Sequence, residues 1–252
     1  VKGGRNLQKR SSQRYWEIDL LRGLAVMMMI TFHLLFNLVF FGEYPFVVDA
    51  GFWFYFQQAT AGLFFLIAGI AMTLSYARAD NRSFWPFFRK GGRIFAWGMV
   101  VTVATWLFLR EGYVVFGVLH SIGISIILAY PFLKRPFWAL PVGVFSLVIG
   151  NYLENFTFSF PWLLWLGFVP ERFYTVDYFP LLPWFGLILL GLFLGGLLYP
   201  AGRRRFPLPD CPEFPLLRGV IFLGRHSLVI YLLHQPVLLA ILAVLGVIDL
   251  RF

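Results

Sequence analysis

Four histidines, His33, His120, His226 and His234, are the chain's only imidazoles. Imidazole takes and gives protons near neutral pH, so these are the first candidates for acid–base chemistry. His33, His120 and His234 fall inside long apolar runs. His33 shares its run with Asp19, Arg22 and Asn37, and at the helical period all four project from one face. A polar stripe is costly in a bilayer, where water is not there to satisfy it. It must face protein or a wet cavity, either to join helices through hydrogen bonds or to build a functional site.

Helix rise turns sequence into depth. Counted from Leu20, His33 lies about 20 Å across a ~30 Å hydrocarbon core. His120, on a run of opposite direction that starts at Val114, comes to about 21 Å from the same edge. His234 comes to about 12 Å, and His226 falls at the edge itself. His33 and His120 are therefore the expected catalytic pair, one as base and the other with Asn37 orienting the base or a carbonyl. His33 is the first choice for base, and His234 is expected to act through stability or positioning. Arg22, Arg225 and His226 stand at the same edge, where guanidinium groups suit phosphates. Asp19 is expected to pair with Arg22, three residues on, or with an arginine of another helix.

Other chemistries find less support. Cys211 is the single cysteine, which excludes an intrachain disulfide and a cysteine-based metal cluster. No pair has HxxxH or ExxH spacing, so no metal site is expected. Ser121, Ser125 and Ser227 lack the GxSxG elbow, and GLFLGG at residues 191–196 is a packing motif in an apolar run rather than a phosphate loop.

These residues need an apolar scaffold, and the composition supplies one. The chain of 252 residues is 60% hydrophobic and 13% charged, with mean hydropathy +0.76, whereas a soluble domain carries about 25% charge. The expected fold is an all-α polytopic membrane bundle of about seven spans, at residues 20–41, 54–76, 94–109, 114–133, 137–153, 181–199 and 227–248. Residues 156–169 are too short and interrupted for a span and read as interfacial or re-entrant. The basic segment 1–16 reads as a cytoplasmic tail and 17–252 as one transmembrane domain. The first span is too long for a signal-peptide core and is expected to be retained. With the tail inside, 18 of the 21 basic residues fall on the cytoplasmic side, leaving Arg110, Arg172 and Arg251 outside. That split places the N-terminus in the cytoplasm and the C-terminus outside it. It also explains the net charge of +9 by topology and lipid headgroups rather than nucleic acid.

Four stretches in order carry a resemblance: EIDLLRGLAVMMMITFH (17–33), GVLHSIGIS (117–125), DYFPLLPWFGLILLG (177–191) and GRHSLVIYLLHQP (224–236). Together they resemble the prokaryotic membrane family described as the heparan-alpha-glucosaminide N-acetyltransferase catalytic domain. The first stretch is also similar to the wider membrane acyltransferases that modify surface sugars. The resemblance implies transfer of acetyl from cytosolic acetyl-CoA, as co-substrate, to an amine or hydroxyl of a sugar or polysaccharide acceptor across the plasma membrane. It adds Asp177 to the catalytic candidates His33, His120, Asn37 and His234, and acetyl-CoA as the ligand of Arg22, Arg225, His226 and Asp19. A longer lysosomal member has its proposed catalytic histidine in the loop after the first span. Residues 42–53 here contain none, so an acetyl-histidine route does not transfer by position. The competing readings are a small transporter or export partner whose polar path His33 and His120 line, and a membrane scaffold. Membrane lipid is a partner on every reading, and a second copy of the chain is left open.

Overall fold

The computed structural model describes residues 14–42, 44–80, 82–209 and 214–248. The expectations that fall on residues 1–13, Glu43, Cys211 and Arg251 lie outside them. Nine α-helices run through the described residues: α1 Trp16–Gly42, α2 Gly51–Arg78, α3 Trp85–Leu109, α4 Val118–Leu128, α5 Tyr130–Lys134, α6 Pro136–Leu153, α7 Leu181–Leu198, α8 Pro215–Arg225 and α9 Ser227–Val244. Six of them, α1, α2, α3, α6, α7 and α9, are long and apolar enough to cross a membrane. The protein is an all-α, multi-pass membrane protein.

Three elements depart from the sequence expectation. The run 114–133 is not one helix: α4 starts only at Val118, the chain turns at Ala129, and α5 follows with Pro131 in its first turn. Proline lacks the N–H that a continuous helix would need there. Helix α3 starts at Trp85 rather than near residue 94, so Arg89, Lys90 and Arg93 are borne on a helix and not on a loop. Between the expected spans 181–199 and 227–248, the Pro- and Arg-rich residues 200–218 read as a loop, but α8 begins within them. Pro215 opens it at a position that suits proline, and Val220, Ile221 and Gly224 form its buried face.

Lipid tails are as apolar as leucine, so these helices associate through close packing at small residues. Helix α7 lies between α2 and α6. A methyl group on Gly69 would overlap the Ile188 carbonyl, one on Gly191 the Leu66 carbonyl, and Gly143 and Gly186 face each other. Around this seam Phe65, Met72, Ile188, Leu189 and Leu192 are fully buried. Helices α3 and α4 meet at Gly91 and Gly123, and α1 and α8 meet where Gly23 faces Val220 and Gly224 faces Asp19.

The two ends of the bundle differ. At the basic end Arg204 grips Glu17 with two hydrogen bonds, Nε to Oε1 at 2.8 Å and Nη2 to Oε2 at 2.7 Å. Tyr199 donates to the same carboxylate at 3.0 Å, and Tyr15 donates to the Gly202 carbonyl at 2.7 Å. These contacts fasten the start of α1 to the end of α7. At the other end, residues 156–169 form no α-helix. They fold on themselves through Phe158 N–H to the Val169 carbonyl at 2.9 Å and a 3₁₀ turn at Leu164–Leu166. Trp162 is 69% exposed there, as suits an aromatic ring at a membrane surface.

Two outcomes are expected. Gly224→Ala should lower the melting temperature of detergent-purified protein, because its Cβ meets the α1 backbone and overpacking costs about 1–3 kcal/mol. Gly219→Ala, on the same helix but facing open space, should leave it unchanged or raise it, since alanine gains about 0.5–1 kcal/mol over glycine in a helix. Reporters inserted after Arg204 and after Trp162 should read opposite sides of the membrane, with Arg204 cytoplasmic; the same side for both would overturn the topology.

Candidate active site

Helices α1 and α9 are joined by two polar rungs one turn apart. In the first, His33 Nδ1 lies 2.9 Å from the Met29 carbonyl and 3.3 Å from His234 Nε2. The rings stand edge-on with centroids 4.7 Å apart. His234 Nδ1 lies 2.6 Å from the Tyr231 carbonyl. In the second, Asn37 Nδ2 donates to Gln235 Oε1 at 2.8 Å.

The partners assign the tautomers. A carbonyl only accepts, so His33 and His234 both carry their proton on Nδ1. His234 Nε2 is then an acceptor for the His33 Nδ1–H, which the Met29 carbonyl shares. His33 Nε2 is left with a lone pair and no partner among the described residues. Asn37 is 0% exposed, and its Oδ1 also has no partner there. Each rung thus leaves one acceptor atom on the same face of α1 unspent.

The expected pairing of His33 with His120 is not found, and His234 stands in its place. Counting residues from Val114 misplaced His120 within its helix. Val114 lies outside any helix, so His120 sits in the first turn of α4 rather than two turns in. Between the Asp19–Arg225 and His33–His234 contacts, α1 spends fourteen residues and the α8–α9 segment nine. Equal depth therefore does not follow from equal count.

His120 is 1% exposed and has the opposite tautomer. Its Nδ1 accepts the Gly117 N–H at 3.2 Å, and its Nε2–H reaches Thr102 Oγ1 at 3.3 Å. Thr102 sends its own hydrogen to the Val114 carbonyl at 2.7 Å. Phe95 and Phe116 cover the ring, and a methyl group on Gly98 would press on it at 3.0 Å. Both nitrogens are spent on holding the start of α4, which is a capping role. Asp177 belongs to the same cluster, with the backbone N–H of Val118 at its carboxylate. Burial pushes its carboxyl up to about 6, while that hydrogen bond pulls the other way. Tyr231 lies within electrostatic range of Asp177 and is tilted against His234, ring centroids 5.7 Å apart. It is the element between the two clusters.

At the basic end, a cavity of about 430 Å³ is lined by Arg14, Arg22, Arg78 and Lys90, with Asp19, Tyr15 and Ser75. Asp19 is 4% exposed and bridges Arg22 and Arg225, each at 3.4 Å. Both expected partners of Asp19 are thus present at once. Arg22 and Asp19 line the cavity; Arg225 touches Asp19 without being among its lining residues. His226 is exposed, tilted against the Phe222 ring and bonded to the Phe222 carbonyl at 2.9 Å, also outside the lining.

The sequence reading did not single out Lys90, Tyr231, Gln235 or Thr102. Gln235 had a signal in its place beside His234, whose register against His33 sets it opposite Asn37. Lys90 had one in its spacing from Trp85 and Pro86, which open α3.

No curated protein and no solved structure matches the chain. A family model does, and over residues 14–236 it takes in the cationic cavity of α1, the His120–Asp177 cluster and both rungs to Gln235. With that span matched, the chain belongs to the membrane acetyltransferase family described as heparan-alpha-glucosaminide N-acetyltransferase, catalytic.

Proposed function

We propose that the protein moves an acetyl group from cytosolic acetyl-CoA to an amine or hydroxyl of a sugar-like acceptor on the far side of the plasma membrane. The observation that carries this reading is the placement of a cationic cavity and an unspent imidazole nitrogen on one helix. Arg22 lines the cavity, and His33 stands eleven residues further along α1, about 16 Å by helix rise. The phosphates of the coenzyme suit Arg14, Arg22, Arg78 and Lys90 as charge-assisted partners. Its long pantetheine arm would carry the thioester up α1 toward His33.

There the chemistry divides among the chain's own groups. His33 Nε2 takes the acceptor's proton as the nitrogen or oxygen attacks the thioester carbon. Asn37, one turn on, holds a reacting polar group in place. The carbon–sulfur bond breaks and the coenzyme thiolate leaves toward the basic end. Asp19 does not bind phosphate on this reading. It neutralises Arg22 and Arg225 and fixes where Arg22 points. His120 and Asp177 act at a distance, by holding α4 and the 154–180 segment against the bundle.

Calorimetric titration of protein in lipid nanodiscs with acetyl-CoA tests the donor. Arg22→Ala and Lys90→Ala should each weaken binding by about 1.5–3 kcal/mol, the worth of a hydrogen bond to a charged group. Arg225→Ala, which acts only through Asp19, should weaken it less. No heat with acetyl-CoA, and proton-coupled solute uptake in liposomes instead, would move the assignment to the transporter.

The base is tested by turnover. His33→Ala should lower it by about 10²–10⁴-fold with acetyl-CoA affinity nearly intact. His120→Ala should act on folding, lowering the melting temperature by orphaning the Gly117 N–H and Thr102, at about 1–3 kcal/mol for a buried group left unpaired. Near-normal turnover in His33→Ala would remove His33 from the site.

A further inference from the structure

His33 is not isolated behind its reactive nitrogen. Its Nδ1–H faces His234 Nε2 at 3.3 Å, and His234 has its own Nδ1–H on the Tyr231 carbonyl at 2.6 Å. The contacts run in one direction: an open lone pair at His33 Nε2, a proton at Nδ1, a lone pair at His234 Nε2, a proton at Nδ1, and a backbone carbonyl at the end. Any proton that arrives at His33 Nε2 makes the Nδ1 proton acidic, and the atom beside it is the best base in the neighbourhood.

We propose that His33 and His234 form a two-imidazole proton relay, in which His234 stores the proton that His33 removes from the acceptor. This rests on the acetyltransferase reading and deepens it. The step balances as follows. The acceptor's N–H or O–H bond breaks and its proton joins His33 Nε2, while the freed electron pair forms the new bond to the thioester carbon. The His33 Nδ1 proton passes to His234 Nε2, leaving His33 neutral and His234 an imidazolium. When the tetrahedral intermediate collapses, the carbon–sulfur pair leaves with the thiolate. The proton returns through the same two bonds and ends on sulfur. No other reactant is consumed.

The relay explains why the stored charge is tolerable between apolar helices. The imidazolium of His234 is hydrogen-bonded at both nitrogens, to His33 and to the Tyr231 carbonyl, which offsets part of the cost of a charge in a dry setting. His234 touches neither substrate on this account. It is a positioning residue that also accepts a proton, and those two roles are separable. Glutamine at 234 offers an oxygen to the His33 Nδ1–H and can hold the ring, but it cannot take the proton.

Two measurements decide it. The first needs no activity: ¹⁵N spectra of histidine-labelled protein in nanodiscs. The expected pattern is Nδ1–H for His33, His234 and His226, and Nε2–H for His120 alone. Nε2–H at His33 would overturn the relay, because Nδ1 would then have nothing to pass. The second is single-turnover acetyl transfer in mixtures of H₂O and D₂O. The wild type should show a rate that bows with deuterium fraction, as two protons in flight require. His234→Gln should be slower by about 10–10²-fold, below the full worth of a direct base, with a straight dependence and acetyl-CoA affinity within about two-fold. A straight dependence in the wild type, or an unchanged bow in His234→Gln, would sink the relay and leave His33 as a lone base. Undiminished turnover in His33→Ala would instead remove the base itself, so the two failures are distinguishable.

Discussion

A hydrogen-bonding group inside a bilayer has no water to turn to, and this constraint fixes how α1 meets its neighbours. Helix α1 carries Asp19, Arg22, His33 and Asn37 through an otherwise apolar run, and each one is answered from within the protein. Arg22 and Arg225 answer Asp19, Met29 and His234 answer His33, and Gln235 answers Asn37. His234 and Gln235 are consecutive on α9, so a slip of one residue between the helices would break both rungs. The interactions that set the register of α1 and α9 are therefore the same ones that place the residues of the proposed site.

The rest of the bundle serves that seam by packing at glycine. Helix α7, with α2 and α6 on either side, makes a body whose closest approaches run through Gly69, Gly191, Gly143 and Gly186. Helices α8 and α9 pack chiefly on α1, and α1 joins the body along α2. Two further ties run between these groups: Glu17 to Arg204 at the basic end, and Tyr231, which packs against the central core and lies near Asp177. The His33–His234 pair lies within the α1–α9 group, one turn of α9 from Tyr231, which packs against the core. The cationic cavity lies between the groups, lined by residues of α1, α2 and α3.

Much of this was legible in the residues. The spans follow from runs of apolar side chains, the Asp19–Arg22 pair from helical spacing, and the polar face of α1 from the recurrence of Asp19, Arg22, His33 and Asn37. What escaped depended on facts that periodicity does not hold. The helix α8 was hidden because eleven residues with Pro215 and two arginines look like a basic loop; its buried stripe of Val220, Ile221 and Gly224 is too short to announce itself. The start of α4 escaped because Val114 and Val115 are as apolar as the helix they precede. Lys90 reads as a loop residue in the sequence because its charge, with Arg89 and Arg93, masks the start of α3. The partner of His33 escaped because depth was counted along helices as though each ran straight from a common edge.

Two histidine environments show why an apolar setting alone does not identify a base. His33 and His120 both sit among aromatic and aliphatic side chains, and the sequence treats them alike. Their difference lies in what the neighbours leave over. At His120 a backbone N–H takes one nitrogen and a threonine the other, so nothing remains to accept a proton. At His33 a carbonyl and a second imidazole both address Nδ1, and Nε2 stays open. Asn37 repeats the pattern a turn away, with its amide nitrogen spent on Gln235 and its oxygen bare. A bare buried acceptor such as Asn37 Oδ1 costs about 1–3 kcal/mol, and with His33 Nε2 open a turn away this face of α1 is where the fold withholds its own hydrogen-bond donors. Donors of the acceptor substrate would recover that loss on binding. The same vacancy would then supply both the affinity for the acceptor and the lone pair that activates it.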